Sequence, residues 1–151
     1  ERGYSILSEA ARHISKTDPR FVGRSIIDID KKLFQDAIIR MQIEQLMQIE
    51  DTTKVVFSDR GLGDSLAYFS IHTLQKPSLK FTITYEKIFI LDILPVYEID
   101  ALRQETREEQ IKIHQEIIRS YQLLKQKIVY IPVMHIKKRA DYILKEVNSH
   151  S

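Results

Sequence analysis

The sequence predicts an α/β domain in which a parallel sheet is covered by helices on both faces. Two observations carry that expectation. Short β-branched apolar runs alternate with amphipathic helical stretches along the chain, the pattern of parallel strands joined by crossover helices. The 151 residues contain no internal repeat, low-complexity tract or Pro/Gly/Ser-rich linker, so residues 1–151 read as a single domain. That length can bury a real core.

Each element has its own local reason. Tyr4–Leu7 is a short strand that runs into a helical turn at Ser8-Glu9-Ala10-Ala11-Arg12. Lys16–Arg24 holds Pro19 and Gly23 and reads as a loop. Asp30 is a good N-cap for a helix over about Lys31–Glu50, where Phe34, Ala37, Ile38 and Met41 recur at helical spacing. Lys54-Val55-Val56-Phe57 reads as a buried strand, followed by a helix from Asp64 to about Leu74 with Leu66, Ala67, Ile71 and Leu74 facing inward. Phe81–Tyr85 is ambiguous, although its residues favour strand by propensity. Lys87–Leu91 is the clearest strand and ends in Asp92, ahead of Pro95. Thr106 and Glu109 form a capping-box pattern. The helix they open carries Ile111, His114, Ile117, Ile118, Tyr121 and Leu124 on one face. Lys127–Ile131 is a last strand, closed by Pro132, and a final helix over about Ile136–Val147 buries Ile136, Ala140, Ile143 and Val147.

Composition excludes several classes. The chain has no cysteine, so it carries no disulfide framework and no Cys-ligated zinc or iron–sulfur site. The most apolar stretch, Ile88–Val96, is broken by Asp92 and too short to span a bilayer. Glu1-Arg2-Gly3-Tyr4 lacks the basic and apolar regions of a signal peptide. A cytoplasmic setting without membrane attachment is the expectation. Net charge is +2, from 23 basic and 21 acidic residues, too balanced to argue for a nucleic-acid partner. The five histidines show no metal-ligand spacing, and His114 reads as a core or boundary residue. Only four glycines are present, and neither G-x-x-x-x-G-K-[ST] nor G-x-G-x-x-G occurs, so the chain carries no conventional phosphate-cradling loop.

In parallel α/β sheets, ligands bind at the carboxyl ends of the strands. Glu9 and Arg12, Asp59 and Arg60, and Asp92 all fall at such ends. A carboxylate beside a guanidinium suits phosphoryl transfer, the acid handling magnesium or a proton and the arginine neutralising charge. The plainer alternative for Asp59-Arg60-Gly61 is a strand–helix turn with Asp59 as a cap. For Glu9 and Arg12 it is an exposed i, i+3 pair. Arg103 and Arg107 could fold over a polyphosphate, or could lie in a solvated loop with Glu105 and Glu108.

Four blocks together resemble a known family. They are Arg2-Gly3-Tyr4 with Ser8-Glu9-Ala10-Ala11-Arg12; Val56-Phe57-Ser58-Asp59-Arg60-Gly61 with Asp64, Ala67 and Tyr68; Tyr85–Leu91 with Tyr97, Asp100, Arg103 and Glu105; and Tyr121, Ile131-Pro132 and Arg139–Leu144. In order and spacing they are similar to the small AAA-type, P-loop kinase-like domain that includes the kinase domain of bacterial NadR. The resemblance implies a three-layer P-loop NTPase-like fold, with ATP and magnesium as cofactors and a small hydroxylated molecule as acceptor. It implies roles too: Glu9 as base or acceptor ligand, Asp59 at magnesium or assisting the base, and Arg60 on phosphate. Arg103 and Arg107 would be lid arginines, and Arg12, Asp64 and Asp100 would contact substrate or nucleotide. It turns Phe81–Tyr85 towards helix.

The family's first strand, Walker A loop and following helix would precede the equivalent of Glu1. That strand would be the centre of the sheet, between Lys54–Phe57 and Lys87–Leu91. The expectation is an N-terminally incomplete kinase-like domain, with a reduced non-catalytic relative as the alternative. Three functions follow: phosphoryl transfer in the complete protein, nucleotide sensing or interaction without turnover, or an inactive pseudo-domain. Residues 1–151 as they stand are expected to show no ATP affinity.

Overall fold

Strands and helices alternate as the sequence predicts. A computed structural model describes residues 3–25, 27–75, 83–95 and 105–149. Their order is β1 (Ser5–Leu7), α1 (Ala10–Thr17), α2 (Lys31–Met47), β2 (Val56–Ser58), α3 (Leu62–Thr73), β3 (Ile88–Leu91), α4 (Arg107–Leu123), β4 (Ile128–Ile131) and α5 (Ile136–Asn148). β1 pairs with β2 in parallel, with Ile6 opposite Phe57. β3 pairs with β4 in parallel, with Phe89 opposite Val129. Parallel neighbours need crossover connections, which α1 and α2 supply for the first pair and α4 for the second.

The α/β class and parallel pairing match the sequence reading. The single layered sheet does not emerge from the described residues, which form two separate two-stranded sheets. No described strand bridges β2 and β3, so each pair keeps its own edges.

Two apolar clusters hold the elements. Ala10, Ile14, Phe21, Ile29, Phe34 and Ile38 join α1 to α2. Ala67, Ile88, Ile90, Ile113, Ile117 and Tyr121 join α3, β3 and α4. Phe21 is 2% exposed although it sits in the segment read as a loop. Its ring meets Phe34 edge-on, with centroids 5.0 Å apart.

The helix starts follow their capping chemistry. Leu33 N–H donates to the Asp30 carboxylate at 2.8 Å. At α4, Glu109 N–H donates to Thr106 Oγ1 at 3.3 Å, and Thr106 N–H donates back to Glu109 Oε2 at 2.7 Å. This is the reciprocal box read from sequence.

Several boundaries and faces differ from expectation. α2 stops at Met47 rather than Glu50, because Ile49 N–H tightens to an i−3 bond with the Leu46 carbonyl at 3.3 Å. Leu74, expected inward, caps α3 in a left-handed conformation at φ 57° and is 91% exposed. On α4 the buried stripe runs through Ile113, Ile117 and Tyr121, while Ile111 lies outside it and is exposed. β2, expected to be buried, is only half-covered. Ile136 is exposed too, and α5 has no fully buried residue. Phe81 and Thr82 lie outside the described residues, and 83–85 are neither helix nor strand. Tyr85 N–H is drawn instead to Gln126 Oε1 at 2.8 Å.

Candidate functional site

The carboxyl ends of β1 and β2 place the charged residues side by side. After β1, Glu9 precedes α1 without capping it through its side chain. Its carboxylate instead accepts from Arg12 Nε at 2.9 Å and lies 3.8 Å from Arg60 Nε. After β2, Asp59 N–H donates to the Leu7 carbonyl at 2.9 Å, which extends the ladder by one step. The chain then turns sharply, and Arg60 takes φ 74°. That left-handed conformation costs a residue with a Cβ roughly 1–2 kcal/mol. Ser58 Oγ donates to the Arg60 carbonyl at 2.6 Å and helps hold the turn.

Arg60 is the centre of the cluster. Its Nη1 lies 3.3 Å from Asp64 Oδ1, and its guanidinium sits over the Tyr68 ring at 5.8 Å. Burial alone would lower its pKa, but the charges of Asp64, Tyr68 and Glu9 outweigh burial and raise it. Asp64 is itself fully engaged. It accepts Gly61 N–H at 3.0 Å and the Tyr121 hydroxyl at 2.6 Å. Burial, followed by the Asp64 charge, raises the Tyr121 pKa, so this phenol stays protonated and donates.

This cluster opens onto a cavity of about 400 Å³ between α2 and α3. Phe34 and Ile38 form part of its apolar wall, and Tyr68 and His72 project from α3. The two rings stack with centroids 5.8 Å apart. The helices run antiparallel along the cavity. Gln42 bonds to Gly61 and Ser65 at one end, while Lys32 reaches the Phe69 ring towards the other.

Burial and the neighbouring Lys31 cation lower the His72 pKa below its ordinary 6.5, against the opposing pull of Glu105 and Glu109. The folded protein therefore holds His72 neutral in a range where the unfolded chain takes up a proton. That contribution to stability is intact above pH 6.5 and is lost as pH falls below it. Stability should drop more between pH 7 and pH 5.5 in the parent than in His72→Asn, measured by urea unfolding. Parallel profiles would refute the assignment.

The sequence-selected residues divide into three groups. Glu9, Arg12, Arg60 and Asp64 come together on the cavity wall. Asp59 is adjacent in sequence but exposed and outside the cavity lining. Arg107 is exposed, with Nη1 donating to the Leu94 carbonyl at 2.8 Å. Asp100 and Arg103 lie outside the described residues. Sequence reading missed Gln35 and Gln42. Their signal was two amides on the inward stripe of α2, at i+1 and i+8 from Phe34.

Among the described residues, no three His, Cys, Asp or Glu side chains group to hold a metal. A lone strand-end carboxylate such as Asp59 still suits magnesium, which keeps waters and leans on nucleotide phosphates. The α3 N-terminus offers little to phosphate, because Gly61 N–H donates to Asp64 and Leu62 N–H donates to the Tyr85 hydroxyl at 2.9 Å. No helix among the described residues is long and apolar enough to cross a membrane.

Short parallel strands with crossover helices, and charged side chains gathered at strand ends, make this an α/β domain. A family model described as an AAA domain matches residues 1–139, and the chain belongs to that family. No curated protein matches the chain. No solved structure matches it.

Proposed function

We propose that this AAA domain takes part in phosphoryl transfer from ATP to a small hydroxylated acceptor, in the manner of the NadR kinase domain. The observation that supports it is the Glu9–Arg60–Asp64 cluster at the ends of β1 and β2, opening onto a cavity of about 400 Å³. The acceptor lies in that cavity. Its hydroxyl proton passes to Glu9 as the new O–P bond forms, and the bond from the γ-phosphorus to the bridging oxygen breaks to release ADP. Arg60 neutralises charge on the transferred group, and Arg12 orients Glu9. Asp59 would hold magnesium, which would neutralise charge on the phosphate oxygens. Arg103 and Arg107 close over the polyphosphate, with Asp100 and Asp64 supporting the contacts.

The β- and γ-phosphates need a cradle of backbone amides. β2 and β3 each pair with one described strand, which supports a further strand joining the two pairs, with a phosphate loop at its end.

The test is ADP release by protein made from the full reading frame, with ATP, magnesium and a panel of hydroxylated acceptors. Acceptor-dependent release is expected. ATP binding without such release would replace this reading with a nucleotide-sensing module, and no ATP binding would replace it with an inactive domain.

A further inference from the structure

α4 reaches the charged cluster through Tyr121, which sits in its last turn and is 2% exposed. The Tyr121 hydroxyl donates to Asp64 Oδ2 at 2.6 Å, and the Gly61 N–H donates to the same oxygen at 3.0 Å. Two donors on one oxygen fix the plane of the carboxylate and leave Oδ1 for Arg60, whose Nη1 lies 3.3 Å away. From Arg60 the chain of charges continues to Glu9, 3.8 Å from Nε. The phenol ring lies so close to Gly61 and Gly63 that neither has room for a Cβ. Tyr121 therefore stands behind the stretch of cavity wall that Arg60 and Asp64 form.

Arg60 needs such support. Its φ of 74° is one that a residue with a Cβ keeps only where its surroundings over-determine it. Its side chain is also part-exposed, and a long side chain loses much rotamer freedom when it is held in one place. We infer that Tyr121 is a positioning residue: by fixing the Asp64 carboxylate it holds the Arg60 guanidinium on the cavity wall, facing the group to be transferred. Its bearing on turnover rests on the phosphoryl transfer proposed above, whereas the tie to Arg60 does not.

Tyr85 supplies the control. Its hydroxyl accepts the Leu62 N–H at 2.9 Å in the same turn, and its ring meets Tyr121 edge-on. Among the described residues it makes no hydrogen bond to Asp64. The experiment compares Tyr121→Phe and Tyr85→Phe with the parent, each made from the full reading frame. The Asp64 side chain is 15% exposed, so water can replace the lost hydroxyl and Tyr121→Phe should fold. The first reading is nitrogen NMR of the guanidinium, with the Arg60 signals identified by their loss in Arg60→Lys. A held guanidinium shows separate Nη1 and Nη2 signals, and a released one averages them. Rotation should be about tenfold faster in Tyr121→Phe, the size of one hydrogen bond to a charged group, and as slow as in the parent in Tyr85→Phe. The second reading is acceptor-dependent ADP release. Tyr121→Phe should lower kcat about tenfold and leave the acceptor KM in place, because the guanidinium acts on charge that develops in the transition state. Tyr85→Phe should keep both.

Parent Nη signals that already average would overturn the inference. So would rotation unchanged in Tyr121→Phe, equal release of Arg60 by the two variants, faster rotation with kcat unchanged, or a Tyr121→Phe chain that does not fold. A parent without ADP release would sink the proposed reaction and leave the NMR reading to decide the tie, so the two proposals fail separately.

Discussion

Arg60→Ala is expected to lose both turnover and stability, whereas Asp59→Asn is expected to lose turnover alone. Arg60 is about 29% exposed and sits between Glu9 and Asp64, whose side chains are 16% and 15% exposed. Its removal leaves two half-buried carboxylates without their shared cation. Breaking a fully buried pair costs about 3–5 kcal/mol. Water reaches this cluster, so about 1–3 kcal/mol is the expected loss, read as a shift in the urea midpoint. Alanine also keeps the strain of the left-handed turn at φ 74°. Arg60→Gly relieves that strain and should recover about 1 kcal/mol of the loss. On turnover, an arginine neutralising a transferred phosphoryl group is worth roughly 10³-fold or more, and both variants should lose it. Asp59 is exposed, and its side chain makes no hydrogen bond or ion pair with the described residues. Asp59→Asn should therefore melt with the parent while turnover falls by about 10²–10³-fold. Unchanged turnover in Asp59→Asn would remove that residue from the chemistry, and Arg60→Ala melting with the parent would mean the cluster is not held by its cation.

Gly63→Ala is expected to destabilise the domain through a single methyl group. A Cβ at Gly63 would lie 2.6 Å from Cδ1 and Cε1 of Tyr121. Neither side can move cheaply. Gly63 is in the first turn of α3, and Tyr121 is 2% exposed. The Tyr121 ring is pinned by its 2.6 Å bond to Asp64 and by edge contact with Tyr85. Two effects compete. Helix propensity favours alanine over glycine by about 1 kcal/mol. Overpacking costs about 1–3 kcal/mol, and displacing the phenol from a charged acceptor about 1.5–3 more. The clash wins, for a net loss of about 2–4 kcal/mol, or roughly 5–15 °C in melting temperature for a domain of this size. Gly63→Ala combined with Tyr121→Leu should cost less than the two changes summed, since the smaller side chain vacates the space. A Gly63→Ala variant as stable as the parent would show that α3 and α4 do not pack this closely.

What was legible in the sequence was local. Alternating periodicity gave the element types, and caps such as Asp30 and the Thr106/Glu109 box gave helix starts within a residue or two. The strand-end rule grouped Glu9, Arg12 and Arg60 before any distance was known. The rest depended on contacts between distant segments, which periodicity does not encode. Ile111 and Ile113 are equally apolar, and only packing against α3 and β3 decides which is buried. Phe21 lies among loop residues and is drawn inside by Phe34. The resemblance implies a substrate or nucleotide contact for Asp64, and nothing local announces its tie to Tyr121, which spans 57 positions. Nothing local marks the buried Gln35 Oε1 as lacking a partner among the described residues.

The separation of the strands into two pairs also governs how the domain behaves among its own copies. One four-stranded sheet would present two edges, whereas two independent pairs present four. Each edge is a row of N–H and C=O groups that water or another backbone must satisfy. Ile6 on β1 adds an apolar side chain that is 64% exposed beside such a row. A strand paired to one of these edges would remove that template.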